Sequence, residues 1–112
     1  MRYIVLFEVM ANGMERRLYD AVDRGDVAEV QLLVKDNPDL NVNWEVVSQW
    51  TVLHSAAICG YFEIVKILLA HPQINVNVQN RSGYTPFSFS CQLNCLSVVQ
   101  LMLKDPRVDI TQ

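Results

Sequence analysis

The sequence predicts an all-α solenoid, in which helix–turn–helix pairs stack side by side and are joined by turn-rich, extended loops. Two observations carry this prediction. A similar block recurs three times in register, so that Pro38, Pro72 and Pro106 are spaced 34 residues apart. Each block also contains two short apolar stretches with the spacing of a helix face. One pair of such helices cannot bury its apolar side, whereas stacked copies can.

The first helix of the middle block is predicted over residues 51–59. Thr51 is placed to cap it, because a threonine hydroxyl accepts a hydrogen bond from a free N–H of the first turn. Leu53 is followed by alanines three and four positions later, which puts all three side chains on one helical face. Gly60 is expected to end the helix, since glycine adopts the left-handed C-terminal conformation at little cost.

The second helix of the middle block is predicted over residues 62–70, where apolar residues repeat with helical spacing. Pro72 ends it, because the residue before a proline avoids the helical region. Glu63 and Lys66 are expected to face solvent, as is Asp105 at the end of the corresponding helix in the third block. An extended stretch reading Asn-Val-Asn then leads to the next block.

The stretch TVLHSAA, which begins at Thr51, resembles the T-P-L-H-x-A signature of the ankyrin repeat family. The family period of about 33 residues is close to the spacing of 34 found here. The stretches YFEIVKILLA and INVN are similar to the rest of the repeat. This sequence departs from the signature at Val52, where the family has proline, and at Ser88, where it has histidine. The resemblance implies an ankyrin-repeat solenoid.

The resemblance also sets the domain organisation. We divide the chain into an amino-terminal extension over 1–13 and an ankyrin-like domain over 14–112, with repeats at about 15–43, 44–77 and 78–112. Glu8 interrupts the apolar extension, which argues against a signal peptide. The charged first repeat is suited to cap the array, whereas the last repeat is as apolar as an interior one. Either the array continues beyond this sequence or its last face packs on another surface, which would allow self-association.

The histidine of the repeat signature has a structural role in ankyrin-like proteins, where it hydrogen-bonds the backbone of an adjacent repeat. The resemblance implies this role for His54. A catalytic role would pair His54 with Ser55, but consecutive residues of a helix do not face each other. No third residue is evident that would orient such a pair. We therefore expect no catalytic residue in this chain and do not expect it to be an enzyme.

Composition and charge exclude several kinds of partner. The net charge is −3 and the longest basic run is Arg16-Arg17, so we expect no nucleic-acid binding, which needs a concentrated basic patch. No apolar run approaches the ~20 residues that span a membrane, and we expect no membrane partner.

The three cysteines form no CxxC pair, which predicts neither a disulfide framework nor a metal site, and nothing else in the sequence points to a cofactor. This cysteine usage favours an intracellular, cytoplasmic location. Cys91 takes the position that Ala57 has one repeat earlier and is therefore expected in the core.

Ankyrin-like proteins bind partners mostly through a concave surface, which is made of the loop tips and the exposed side of each first helix. The resemblance places this surface at Val47, Ser48, Trp50, Ile58 and Cys59 in the second repeat and at Arg81, Ser82, Tyr84, Gln92 and Leu93 in the third. Tryptophan, tyrosine and arginine are the residues that dominate binding hot spots. An alternative is that Trp50 packs on a neighbouring loop, where Trp44 is available as a partner.

Two functions of different classes follow from the sequence. The first is a protein–protein interaction module, an adaptor or scaffold that holds a protein partner through the concave surface. The alternative is a structural repeat segment of a larger enzyme, channel or effector, whose activity lies outside this chain. The fold by itself does not choose between them.

Overall fold

The computed structural model describes residues 13–111 and contains six α-helices and no β-strand in that part of the chain. The helices are α1 Gly13–Arg24, α2 Val27–Asp36, α3 Val52–Ile58, α4 Phe62–Leu69, α5 Pro86–Gln92 and α6 Leu96–Leu103. The helices predicted over 51–59 and 62–70 are therefore correct to within one residue at each end. Apart from Gly13, which begins α1, the proposed extension lies outside the described residues.

Each consecutive pair of helices forms one repeat, and the repeats stack in two layers. The first helices α1, α3 and α5 contact one another in order along one layer, and α2, α4 and α6 do so along the other. The helices within each pair also contact one another across the layers. This arrangement confirms the predicted solenoid.

The core lies between the two layers and between successive repeats. Leu53 and Ala56 of α3 and Ile64 and Leu68 of α4 are fully buried. These residues belong to the apolar sets that repeat with helical spacing. The helix faces predicted from the sequence are therefore the faces that pack in the core. Thr85 caps α5 as a threonine is expected to do, because its hydroxyl accepts a hydrogen bond of 3.1 Å from the Ser88 N–H.

Asparagine side chains fasten each repeat to the next. Asn43 donates to the carbonyl of Gln73 at 2.8 Å and accepts from the N–H of Asn75 at 2.7 Å. Asn77 makes the same two bonds one repeat later, to the Arg107 carbonyl at 2.8 Å and the Asp109 N–H at 2.7 Å. We call this pair of bonds the asparagine clamp.

Two expectations about individual residues are wrong. Cys91 is exposed rather than buried, because Ala57 is covered by the third repeat and no described residue stacks on Cys91 in the same way. Asp105 is not simply solvated, because its carboxylate pairs with the Arg107 guanidinium at 2.6 Å. The hydrogen bond from Arg107 also lowers the pKa of Asp105 below its ordinary value.

Candidate partner-binding surface

The loops between the repeats end in tight turns that project the candidate residues. In the second repeat, the Val46 N–H donates to the Trp50 carbonyl and the Trp50 N–H donates to the Val47 carbonyl, both at 3.0 Å. The two central residues, Ser48 and Gln49, have φ values of 54° and 62°. Positive φ at both central positions is the requirement of a type I′ hairpin turn.

The third-repeat loop forms a related turn at the equivalent positions. The Asn80 N–H donates to the Tyr84 carbonyl at 2.9 Å, and Gly83 adopts the positive φ with a value of 86°. The Asn80 side chain accepts from the N–H groups of Ser82 and Tyr84, both at 3.0 Å. These bonds hold the tip of this loop in one shape.

The structure brings the two loop tips together. The Arg81 N–H donates to the Ser48 carbonyl at 2.9 Å, which joins the third-repeat tip to the second-repeat tip. Val47, beside this bond, keeps 68% of its surface exposed, and Tyr84 keeps 39%. Ser48, Arg81 and Ser82 are also exposed. The loop-tip residues predicted from sequence therefore form one surface that spans two repeats.

Trp50 is half-buried and occupies a packed position. Its ring stacks on His54, with centroids 5.0 Å apart, and lies 5.3 Å from the ring of Phe89 in the next repeat. Its Nε1–H donates to Ser55 Oγ at 2.6 Å. The alternative in which Trp50 packs on its neighbours is thus the better description, although its ring partners among residues 13–111 do not include Trp44.

Phe89 packs against two of the candidate residues and was not predicted from the sequence. Its ring lies between Trp50 and Tyr84, with centroids 5.3 Å and 5.2 Å away. Phe89 takes the position that Ser55 holds one repeat earlier, and this replacement of a small polar residue by an aromatic one was the available signal. The three rings form a continuous aromatic cluster that supports the loop tips from below.

The candidates at the helix ends lie apart from the loop tips. Cys59, Gln92 and Leu93 are exposed at the carboxyl ends of α3 and α5, and Ile58 is half-buried there. The loop tips precede the amino ends of the same helices, and a helix of seven residues is about 10 Å long. The predicted set is therefore divided into two groups. The loop-tip group comprises Val47, Ser48, Trp50, Arg81, Ser82 and Tyr84. The helix-end group comprises Ile58, Cys59, Gln92 and Leu93.

A polar recess adjoins the loop-tip group. Its volume is about 560 Å³, and its lining includes Glu45, Gln49, Asn80 and Arg81. One acidic and one basic side chain thus stand at the edge of the exposed apolar residues.

His54 is fully buried and links the second repeat to the third. Its Nδ1 accepts from the Thr51 N–H at 3.2 Å, because a backbone N–H can only donate. The ring proton is therefore on Nε2, which donates to the Tyr84 carbonyl at 3.1 Å. The structural role implied by the ankyrin resemblance is the role that the geometry supports.

Burial lowers the pKa of His54 below its ordinary value of 6.5, although the hydrogen bond to Tyr84 acts in the opposite direction. The imidazole is thus neutral at neutral pH, as the two hydrogen bonds require. Ser55, which a catalytic role would pair with His54, accepts a hydrogen bond from the Trp50 indole.

No helix among residues 13–111 is long and apolar enough to cross a membrane. Within the same residues, no group of three or more His, Cys, Asp or Glu side chains is arranged to hold a metal ion.

Comparison with known proteins agrees with the repeat architecture. A 54-residue segment of the chain is 43% identical to part of the 2-5A-dependent ribonuclease of Mus musculus, and it covers 48% of this chain but 7% of that protein. The family model for ankyrin repeats, in three copies, matches residues 18–112. The chain therefore belongs to the ankyrin repeat family.

Proposed function

We propose that this chain is a protein–protein interaction module that binds its partner through the loop-tip group. Ankyrin repeats generally mediate interactions between proteins. The observation that carries the proposal is the pairing of the two tips through Arg81 and Ser48, beside which Val47 and Tyr84 remain exposed. Exposed apolar side chains grouped with an arginine on a rigid support are typical of binding surfaces.

We propose that the helix-end group extends the same contact toward the carboxyl ends of the first helices. This group consists of Ile58, Cys59, Gln92 and Leu93. Leu93 supports this extension because half of its surface, 50%, is exposed. Trp50 is proposed to act indirectly, by holding Phe89 and the loop tips in place, rather than as the main contact residue.

Affinity capture from a native lysate tests the proposal. The wild-type chain is compared with a Val47→Asp/Arg81→Ala variant, which changes the loop tips without touching the aromatic cluster. Loss of two central contacts should raise the dissociation constant of the complex with the partner about 30-fold or more. Leu32→Asp is the matched control, because Leu32 is an exposed leucine on α2, outside the proposed surface. Circular dichroism of all three proteins checks that they are equally helical.

A partner that binds the wild type and the Leu32→Asp control but not the loop-tip variant supports the proposal. Equal capture by the loop-tip variant and the wild type contradicts it. Selective loss with Leu32→Asp would instead assign recognition to the groove of about 650 Å³ between α2 and α4, which Leu32 and Ile67 line.

The second candidate is a repeat segment of a larger enzyme, channel or effector. The similarity to a segment that makes up 7% of a ribonuclease favours it, since that protein carries such repeats within a much longer chain. An antibody against residues 13–111 decides between the two on an immunoblot of native tissue. A band far above the 12.8 kDa of this chain favours the larger protein.

We further propose that the protein works in the cytoplasm and binds a protein partner there, rather than nucleic acid or a membrane. Cys59 and Cys91 are free and exposed, which suits a reducing compartment. Subcellular fractionation followed by the same immunoblot tests this location. Recovery in the secreted or membrane fraction would contradict it.

A further inference from the structure

Two adjoining grooves lie in the layer of second helices, on residues that belong to neither the loop-tip group nor the helix-end group. The first, of about 650 Å³, lies between α2 and α4, and its lining includes Ala28, Leu32, Ile67 and Pro72. The second, of about 450 Å³, lies between α4 and α6. Ala70 lines both, so the grooves adjoin at the carboxyl end of α4. We call them together the outer grooves.

The first groove offers apolar surface that is open to solvent. Leu32 is 53% exposed, whereas the next residue, Leu33, is 3% exposed because it points into the core. Ile67 forms part of the opposite wall and is half-buried. A ligand that covered these side chains would remove apolar surface from water, and the volume lies in the range typical of binding sites. Each groove has a described helix on both sides, so neither is an end of the stack.

The charges that line the outer grooves are mainly positive. All three lysines of the chain are found there, Lys35 in the first groove and Lys66 and Lys104 in the second. Among the residues given by the structure for the two linings, Asp105 is the acidic one, and its carboxylate pairs with the Arg107 guanidinium at 2.6 Å. The lysines therefore gather in one region of a chain whose net charge is −3.

These positive charges are not neutralised within the described part of the chain. None of the three lysines forms an ion pair among residues 13–111, and the nearby carboxylates of Asp36 and Glu63 lie outside both linings. Arg107 is different, because it also donates to the carbonyls of Leu69 and His71 and so joins the third repeat to the second. Three unpaired ammonium groups beside an apolar groove favour a partner that carries negative charge.

The combination of apolar walls and lysines selects one kind of occupant. An amphipathic helix can place apolar side chains in a groove at positions i, i+3, i+4 and i+7 and carry carboxylates along its edge. The ten residues of α2 extend over about 15 Å, which is the length of roughly three turns of a partner helix. Nucleic acid would need a larger basic patch than three lysines provide.

We propose that the outer grooves bind an acidic amphipathic helix of another protein. Its apolar side chains enter the first groove beside Leu32 and Ile67, and its carboxylates pair with Lys35 and Lys104 on either side of Ala70. This inference goes beyond the proposed recognition function, because it uses a different surface and can be correct or wrong independently of the loop-tip group.

Selection from a phage-displayed library of random peptides about 16 residues long, or roughly four helical turns, tests the proposal. The target is the full chain. Enriched peptides should combine carboxylates with apolar residues at helical spacing. Their dissociation constants should rise about tenfold or more with Lys35→Glu/Lys104→Glu, and also with Leu32→Asp, which places a carboxylate in the first groove.

The matched control is Arg24→Glu/Arg81→Glu, which changes the net charge by the same amount outside the outer grooves. All four of these basic residues are exposed, and circular dichroism checks that every variant is equally helical. The control should bind the selected peptides within about threefold of the wild type.

Several outcomes would overturn the proposal. Enriched peptides without an excess of acidic residues do so, as do acidic peptides that bind the lysine variant and the wild type alike. Loss of binding in the arginine control alone would assign the peptides to the loop-tip group, which contains Arg81. A wild-type chain that enriches no peptide also overturns the proposal, and its binding to phosphatidylserine vesicles would then assign the lysines to an anionic surface.

Discussion

At the scale of single residues, His54 shows how one side chain connects two repeats. It accepts from Thr51 in its own repeat and donates to Tyr84 in the next, and it is fully buried. A His54→Ala change would leave both backbone groups unpaired and open a cavity. We expect a loss of about 3 kcal/mol in the free energy of unfolding, measured by urea denaturation. An effect within experimental error would contradict the assigned geometry.

The same residue predicts a pH dependence. The unfolded chain binds a proton at His54 near pH 6.5, whereas the folded protein does so at a lower pH because burial lowers the pKa. The unfolded state therefore binds more protons below pH 6.5, and stability is complete above this pH and falls as the pH decreases. The slope attributable to this residue is at most about 1.4 kcal/mol per pH unit.

Urea denaturation between neutral and mildly acidic pH measures this slope. A His54→Gln variant has no titrating group at this position and should lack this contribution to the slope. If the variant and the wild type lose stability in parallel as the pH falls, the histidine is not the source.

The asparagine clamp gives another prediction for single residues. Asn77→Ala removes a donor and an acceptor between the second and third repeats, and we expect a loss of about 1–2 kcal/mol. Asn43→Ala should cost a similar amount, because it removes the same two bonds one repeat earlier. Thr111→Ala is the control and should cost less, since that hydroxyl bonds within its own repeat. Equal losses at all three positions would mean that the clamp has no special role.

At the scale of elements, the second-repeat loop tip stores conformational strain. Ser48 and Gln49 both have positive φ, which side-chain-bearing residues adopt at a cost of roughly 1 kcal/mol each. Asn-Gly is the preferred sequence for such a turn. A Ser48→Asn/Gln49→Gly variant should therefore raise the free energy of unfolding by about 1 kcal/mol.

The third-repeat loop provides the control for this prediction. Gly83 already supplies the positive φ there, and an added Cβ would meet no atom within 4 Å. Gly83→Ala should thus lower stability by about 1 kcal/mol through backbone conformation alone. Thermal or urea unfolding of both variants and the wild type measures these changes in the free energy of unfolding. A loss of stability in the Asn-Gly variant would contradict the turn geometry.

At the scale of the whole molecule, stability should be uneven along the stack. Among residues 13–111, the second repeat packs against helices on both sides and the third against helices on one side, and a solenoid opens repeat by repeat. Amides of α6 should therefore exchange faster than those of α4. Hydrogen exchange measured by mass spectrometry at low protein concentration tests this order.

Core substitutions in the two repeats sharpen the test. Leu68→Ala in α4 should cost about 3 kcal/mol and speed exchange throughout the molecule, because Leu68 is fully buried in the middle repeat. Met102→Ala at the equivalent position of α6 should speed exchange mainly in the third repeat. Identical exchange patterns in the two variants would indicate a single cooperative unit instead.

Much of the fold could be predicted from the sequence, because it depends on local signals that repeat. The helices around Thr51 and Phe62 were placed to within one residue, since capping residues, helical spacing and the proline at position 72 all act within a few residues. The loop-tip residues were found through the same repetition. Their membership in one surface could be inferred from the family resemblance, although their contacts could not.

The sequence by itself determined the repeat period, the helix pairs and the positions that project from each loop, because these follow from short-range chemistry. The tertiary structure decided what depends on which repeat lies alongside. It placed Phe89 against Trp50, gave Asn77 its two bonds to the third repeat, and left Cys91 exposed. The neighbouring surface decides whether a residue is buried, and the type of the residue does not reveal whether another repeat packs on it.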